Sequence, residues 1–348
     1  MHGIISYAML LKNSIHLLVK CSAIIYMLLL ITSCGQNPRH IDVSGIPLEV
    51  KAERFDEDLF SGHGDDVSYL KNKYKNFFDL FCFKIIEIGT PDTVLLKNRL
   101  SGFTTDTDLK EIYQASEKIY SDFTPFNQQL TDAFRHFKYY FPNKLIPHVY
   151  TFISGFNYAV VAADSALGIG LDMYLGSDAK YYPGLQFPHY KIVRMRKEYL
   201  VADGMRGWIQ SEWEEDETQS DLLSRMIYGG KILYCMNSLM PEVADSIKTG
   251  YTSSQLKWCN ANEKNTWSFF IDQKLLFSND QNQVAKFIND GPTTNGFPKE
   301  SPGAVGQWLG WKIVQAYMKN NPAVTLEQLM NANDNKKILN DSKYKPGK

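Results

Sequence analysis

The sequence predicts an α+β fold, dominated by helices, with a small antiparallel meander sheet at about residues 146–175. Three observations carry that prediction. Apolar residues on both sides of this segment recur at three- and four-residue spacing, the period of a helix with one buried face. Within it, Val, Ile, Tyr and Phe crowd together between turn residues, Gly155 and Asp164-Ser165. And 348 residues, 44% hydrophobic and 22% charged, hold ample apolar surface for a core and are far from the make-up of a disordered chain.

The extreme N-terminus stands apart. Residues 1–33 contain no Asp or Glu, only Lys12 and Lys20, and an apolar run from Cys21 to Ile31. A basic stretch followed by about 7–15 apolar residues is a secretory signal, and the run is short for a bilayer span of about 20 residues. Ile31-Thr32-Ser33 then lead into Cys34, the lipobox pattern of bacterial lipoproteins. The cysteine is required there because its thiol takes a diacylglycerol before cleavage and its freed amine is then acylated. Several acyl chains anchor far more firmly than one, each buried methylene adding about 0.8 kcal/mol. The removed segment holds two of the 37 basic residues and none of the 38 acidic ones, so the rest carries 35 against 38. That balance argues against nucleic acid as a partner.

Residues 34–50 are expected to be a lipidated tether, keeping the domain close to the bilayer. The N-terminal helical region, 51–145, follows. A helix is expected from Val67 to Ile86, with Val67, Leu70, Tyr74, Phe77, Phe78, Phe81, Cys82 and Ile85 on one face. A second covers Thr107–Tyr120, and a third begins at Thr124-Pro125, a cap with proline in the first turn, and stops at Pro142. Three strands, about 148–154, 157–163 and 167–174, make the meander. Helices return at about 192–213, 221–239, 253–277 and 302–320, with short pieces at 281–289 and 325–332. The region 146–332 is read as packed with 51–145 into one globular domain, although two close halves divided near 145 also fit. Residues 333–348 are polar and expected to fray.

The search for chemistry is largely negative. After Cys34 the histidines are His40, His63, His136, His148 and His189, with no H-E-x-x-H, H-x-H or Cys-x-x-Cys spacing, so no metal site is expected. No nucleophile elbow, phosphate loop or dinucleotide fingerprint occurs; Gly168-x-Gly170 lies in a strand rather than opening a helix, and no cofactor is implied. Cys82, Cys235 and Cys259 sit in apolar surroundings and read as buried, inert thiols. One polar cluster stands out, Glu198, Asp203, Arg206 and Glu212. On a helix Asp203 and Arg206, three apart, share a face. The bland reading, an ion pair ordering a core helix, outweighs a site for acid–base work. An unconventional hydrolase would use Asp203, Glu198 or Glu212 with His189; a peptide- or glycan-binding module would use the Tyr/Pro loop at 181–190 and a sheet edge. Paired glycines at Gly229-Gly230, and Gly306 and Gly310 four apart, suggest close helix packing rather than a ligand loop.

Several of these features together resemble the gliding-motility lipoprotein GldB family. They are the lipobox ending at Cys34, Glu53-Arg54-Phe55-Asp56-Glu57-Asp58-Leu59-Phe60, the run Gly168–Gly176, Arg206-Gly207-Trp208, and the stretches Met226–Tyr234 and Gly306–Trp311. The resemblance implies a protein anchored in the envelope of Bacteroidota-type bacteria and linked to surface gliding, with other gliding or secretion proteins as partners. The chain is also remotely similar to zincin-type metallopeptidases, in which a strand meander precedes an H-E-x-x-H helix. The corresponding helix here, 192–213, has no histidine, which implies a degenerate scaffold without its metal centre. The function expected is therefore non-catalytic support of gliding. The residues after Cys34, Gly35-Gln36-Asn37-Pro38-Arg39, lack the acidic run that resembling bacteria use for surface export, so the anchor is expected to face the periplasm.

Overall fold

A computed structural model describes residues 41–347. The signal segment and Cys34 lie outside the described residues. The class is as expected, helix-dominated α+β, but the sheet is mixed rather than a meander. Its four strands are β1 (Glu53–Arg54), β2 (His148–Phe152), β3 (Val160–Ala163) and β4 (Ala166–Gly170), in the order β1-β2-β4-β3. β2 runs parallel to both β1 and β4, and only β3 and β4 are antiparallel.

The cause lies in the connection after β2. Gly155 and Phe156 both take positive φ, +72° and +68°, and the buried Asp172 carboxylate accepts the N–H groups of Ser154 (3.0 Å) and Phe156 (2.6 Å). The chain thereby passes over the end of β4, so β3 lands on the far edge and its hairpin partner β4 fills the middle. Glycines in β4 make room for this. A Cβ at Gly170 would lie 2.1 Å from the Tyr158 carbonyl, and one at Gly168 2.9 Å from the Phe77 ring.

Both faces of the sheet are covered, which is why Val149, Tyr150, Thr151 and Phe152 of β2 are all buried. On one face Tyr150 and Phe152 join an aromatic core with Phe55, Phe77, Phe78 and Phe81. On the other, Val149, Leu167 and Ile169 enter the main core. The smaller core is built by α1 (Phe55–Phe60), α2 (Val67–Tyr74), α3 (Asn76–Leu80) and a π-turn at Phe81–Ile85. The single helix expected over 67–86 is thus broken, at Lys75 with φ +48°. A helix the periodicity did not reveal, α4 (Thr93–Thr105), follows, capped by Asp92 on the Leu95 N–H (3.0 Å). Its apolar face is thin, with Val94 and Leu95 exposed. The helices α5 (Thr107–Tyr120) and α6 (Thr124–Tyr140) match the expectation.

From Val43 onward the expected tether is strapped down. The Val50 N–H donates to Thr131 (2.9 Å), Arg135 donates to the Leu48 carbonyl (3.0 Å) and the Ala52 N–H to Asn127 (2.9 Å), all on α6.

The expected helix 192–213 is interrupted. It comprises α7 (His189–Ile192), a 3-10 turn (Lys197–Tyr199) and α8 (Leu200–Glu212). Next come α9 (Leu222–Leu239), α10 (Asp245–Thr249), α11 (Ser253–Asp272), α12 (Gln281–Ile288), α13 (Val305–Asn320) and α14 (Leu326–Asn331). The segment expected to fray forms α15 (Asn335–Ser342), with Ile338 buried, the Asn320 amide on the Ser342 carbonyl (2.7 Å) and the Tyr344 hydroxyl on Glu263 (2.7 Å). α9 and α13 cross so closely that a Cβ on Gly230 would lie 2.3 Å from the Gly310 carbonyl carbon. These glycines serve backbone contact, not a ligand. Among the described residues no helix is long and apolar enough to cross a membrane.

Candidate functional site

Glu53-Arg54-Phe55-Asp56 explains itself as a clamp. β1 is only two residues long, and α1 begins at once behind it. Phe55 buries in the aromatic core while Arg54 turns the other way, to Asp56 (2.7 Å), Glu57 (2.7 Å), Glu117 on α5 (2.6 Å) and the Tyr120 carbonyl (2.7 Å). Asp56 is fully buried and also accepts from the Thr151 hydroxyl on β2. Burial works against the Arg54 charge, but the hydrogen bond and charge of Asp56, with Glu57 and Glu117 behind, raise its pKa further. Asp58, the next carboxylate, receives Lys73 (2.5 Å), Tyr74 (2.8 Å) and Tyr69 (3.0 Å). Arg54 thus ties β1 to α5 and Asp58 ties α1 to α2, while Glu53 stays half-exposed beside His148 (3.9 Å).

The residues open to chemistry lie elsewhere, in a cleft of about 430 Å³ beside α8. α8 sits on the sheet because Gly204 and Gly207 let it approach: a Cβ at Gly207 would lie 2.6 Å from Val160. That contact turns Asp203 and Arg206 into the cleft. They share a face, as the spacing predicts, yet they form no salt bridge; Asp203 instead accepts from the buried Tyr174 hydroxyl (3.1 Å), and Arg206 donates to the Lys248 carbonyl. Burial raises the Asp203 pKa, offset in part by Arg206 and Tyr174, and burial lowers that of Arg206, offset in part by Asp203. The opposite wall brings Arg194, paired with Asp290, together with Gln307, whose amide donates to the Ile288 carbonyl (2.8 Å). Ala304, in the left-handed region (φ +51°) just before α13, closes one side.

Of the four clustered residues, the structure brings together only Asp203 and Arg206. Glu198 is exposed on the 3-10 turn before α8, and Glu212 leaves the cleft to meet Lys144 (2.7 Å). His189 is exposed and does not line the cleft. The unconventional hydrolase thus loses its acid–base partners. In the Tyr/Pro loop, buried Tyr182 is tied inward, donating to the Asp172 carbonyl (2.9 Å) and accepting the Leu175 N–H (2.8 Å), while residues 183–186 are exposed. Sequence reasoning missed Asp290, Tyr251 and Gln307, which come from distant segments and carry no local spacing signal. The cleft's lining contains no His, Cys or Ser. Among the described residues no group of three or more His, Cys, Asp or Glu is placed to hold a metal. Cys82, Cys235 and Cys259 are free and buried, and burial pushes the first and last thiols up to about 12.

Comparison with known proteins gives one match. The family model described as gliding motility protein GldB covers residues 36–346, and no curated protein and no solved structure matches. The chain belongs to that family, and its role is associated with gliding motility.

Proposed function

We propose that this member of the gliding motility protein GldB family is a non-catalytic, lipid-anchored envelope protein that supports assembly or operation of the gliding machinery. The observation that carries the reading is the register between motif and family. The family match begins at residue 36, two residues beyond Cys34, so it covers what remains when a lipoprotein signal is cleaved. Acylation at Cys34 anchors the chain, and the segment between Cys34 and the strapped Val50 leaves the domain close to the bilayer.

The non-catalytic part rests on the cleft. Asp203 there is held by the Tyr174 hydroxyl, and no histidine, cysteine or serine lines the cleft. Purified protein should therefore carry no stoichiometric zinc. The anchor is read as facing the periplasm, and destruction of the protein by protease added to intact cells would overturn that orientation.

The decisive test replaces the chromosomal copy with Cys34→Ala and scores colony spreading beside membrane fractionation. The expected result is release of the protein from membranes together with loss of spreading. A variant that spreads normally while soluble would remove the anchor from the function.

A further inference from the structure

Arg206 has more hydrogen-bonding capacity than its protein neighbours use. A guanidinium carries five N–H donors, and the structure commits one nitrogen, Nη2, to the Lys248 carbonyl. Among the described residues no carboxylate lies within the 4.0 Å of an ion pair with it. Its other nitrogens have no protein acceptor and are not among the buried atoms sealed from solvent, so they face open space. That space is the 430 Å³ cleft and two adjoining cavities, all three lined in part by Arg206.

The charge around it is decided by counting the cleft's own residues. Lys191, Arg194 and Arg206 stand against Asp203 and Asp290. Arg194 and Asp290 satisfy each other, leaving one positive charge in excess. A single carboxylate neutralises that excess, whereas a dianionic phosphate would place a second negative charge beside Asp203. The planar guanidinium also suits a carboxylate held by two parallel bonds. Met173, Met195, Leu233 and Ile247 supply an apolar part of the wall, beside the polar Gln210, Thr249 and Gln307. The volume falls within the roughly 300–1,000 Å³ of small-ligand pockets.

We propose that the cleft binds one organic carboxylate carried on a short apolar body, received by Arg206, a chemistry shared by the C-terminus of a peptide and a small free organic acid. Asp203, held by Tyr174, keeps its second oxygen as an acceptor for an N–H next to the carboxylate. This site goes beyond the anchoring role and stands whether or not Cys34 is acylated.

Calorimetry on the full-length protein in detergent tests it with three probes: an N-acetylated tripeptide of Ala and Val with a free C-terminus, the same peptide amidated, and valerate. The free-acid peptide should saturate, and the amide should bind about ten-fold or more weakly, the worth of a charge-assisted hydrogen bond. Arg206→Gln should weaken the free acid by a similar factor and abolish the difference between acid and amide, with Arg206→Lys intermediate. Because Arg206 also holds the Lys248 carbonyl, Lys191→Ala at the exposed rim gives an independent reading: a weakening of a few-fold that fades as salt is added. Tighter binding of peptide than valerate would support a chain terminus as the source, and the reverse would support a free acid. Equal binding of acid and amide, or no saturation by any probe at millimolar concentration, overturns the proposal.

Discussion

Gly310→Ala should destabilise the protein even though alanine is the better helix former. The added Cβ would lie 1.7 Å from the Met226 carbonyl oxygen, 2.4 Å from its carbon and 3.1 Å from its Cα. All three are backbone atoms of α9, so no rotamer can relieve the clash. Reaching ordinary contact requires α9 and α13 to part by roughly 1.5 Å, and a gap of about 0.5–1 Å already forfeits a quarter to a half of the dispersion at the contact. Overpacking of this kind costs about 1–3 kcal/mol or more, against about 1 kcal/mol gained from replacing glycine in a helix. Since the obstruction is rigid and the crossing lies in the main core, we expect a net loss of about 2 kcal/mol. Gly102→Ala is the control. Gly102 lies within α4 with nothing within 4 Å of an added Cβ, so the same substitution should stabilise by about 0.5–1 kcal/mol. Urea unfolding followed by tryptophan fluorescence reads both, with a shift in midpoint at unchanged slope. A Gly310→Ala protein as stable as wild type, or stabilised like Gly102→Ala, would refute the close-crossing argument.

Three further expectations follow from buried polar groups. Arg54→Ala strands the fully buried Asp56 carboxylate and should cost about 3–5 kcal/mol in the same unfolding assay; an effect below about 1 kcal/mol would mean the clamp is idle. Asp172, fully buried, has its pKa raised from 3.8 to about 6, first by burial and despite its backbone N–H partners. The folded state therefore holds a proton the unfolded state has lost, so this group's contribution is complete below about pH 4 and disappears as pH rises through about 6. Stability measured from pH 4 to 7 should fall by about 2 kcal/mol on its account, and Asp172→Asn should flatten the curve; an unchanged slope in the variant would assign it elsewhere. The thiols of Cys82, Cys235 and Cys259, buried and with raised pKa values, should not react with a thiol reagent at pH 8 until the protein is unfolded. Rapid labelling of the native protein would show one of them to be accessible.

What could be read in advance follows the range of the interactions. Helices with a strong three/four pattern, such as α5, α6 and α9, are local facts, and their spans agree closely with the structure. The glycine pairs announced a close crossing because nothing else explains glycine inside strong helical patterns. The sheet order was hidden, since Asp172 reaching back to Ser154 and Phe156 is a tertiary device that no alternation of side chains encodes. Lys75 broke an apparently continuous helix for a similar reason: the aromatic residues on either side pack into one core from two directions. In the cleft, Asp203 and Arg206 were legible because one helix presents both. Their environment was not, because Tyr174, which donates to Asp203, and the Lys248 carbonyl, which accepts from Arg206, arrive from distant segments.

The anchoring claim is tested most directly at the first residue of the mature chain. Mass spectrometry of the N-terminal peptide, from protein extracted from its native membranes, should find Cys34 as residue one, carrying acyl chains on both thiol and amine. A peptide running uncut through Ser33-Cys34 with a bare thiol would contradict the account.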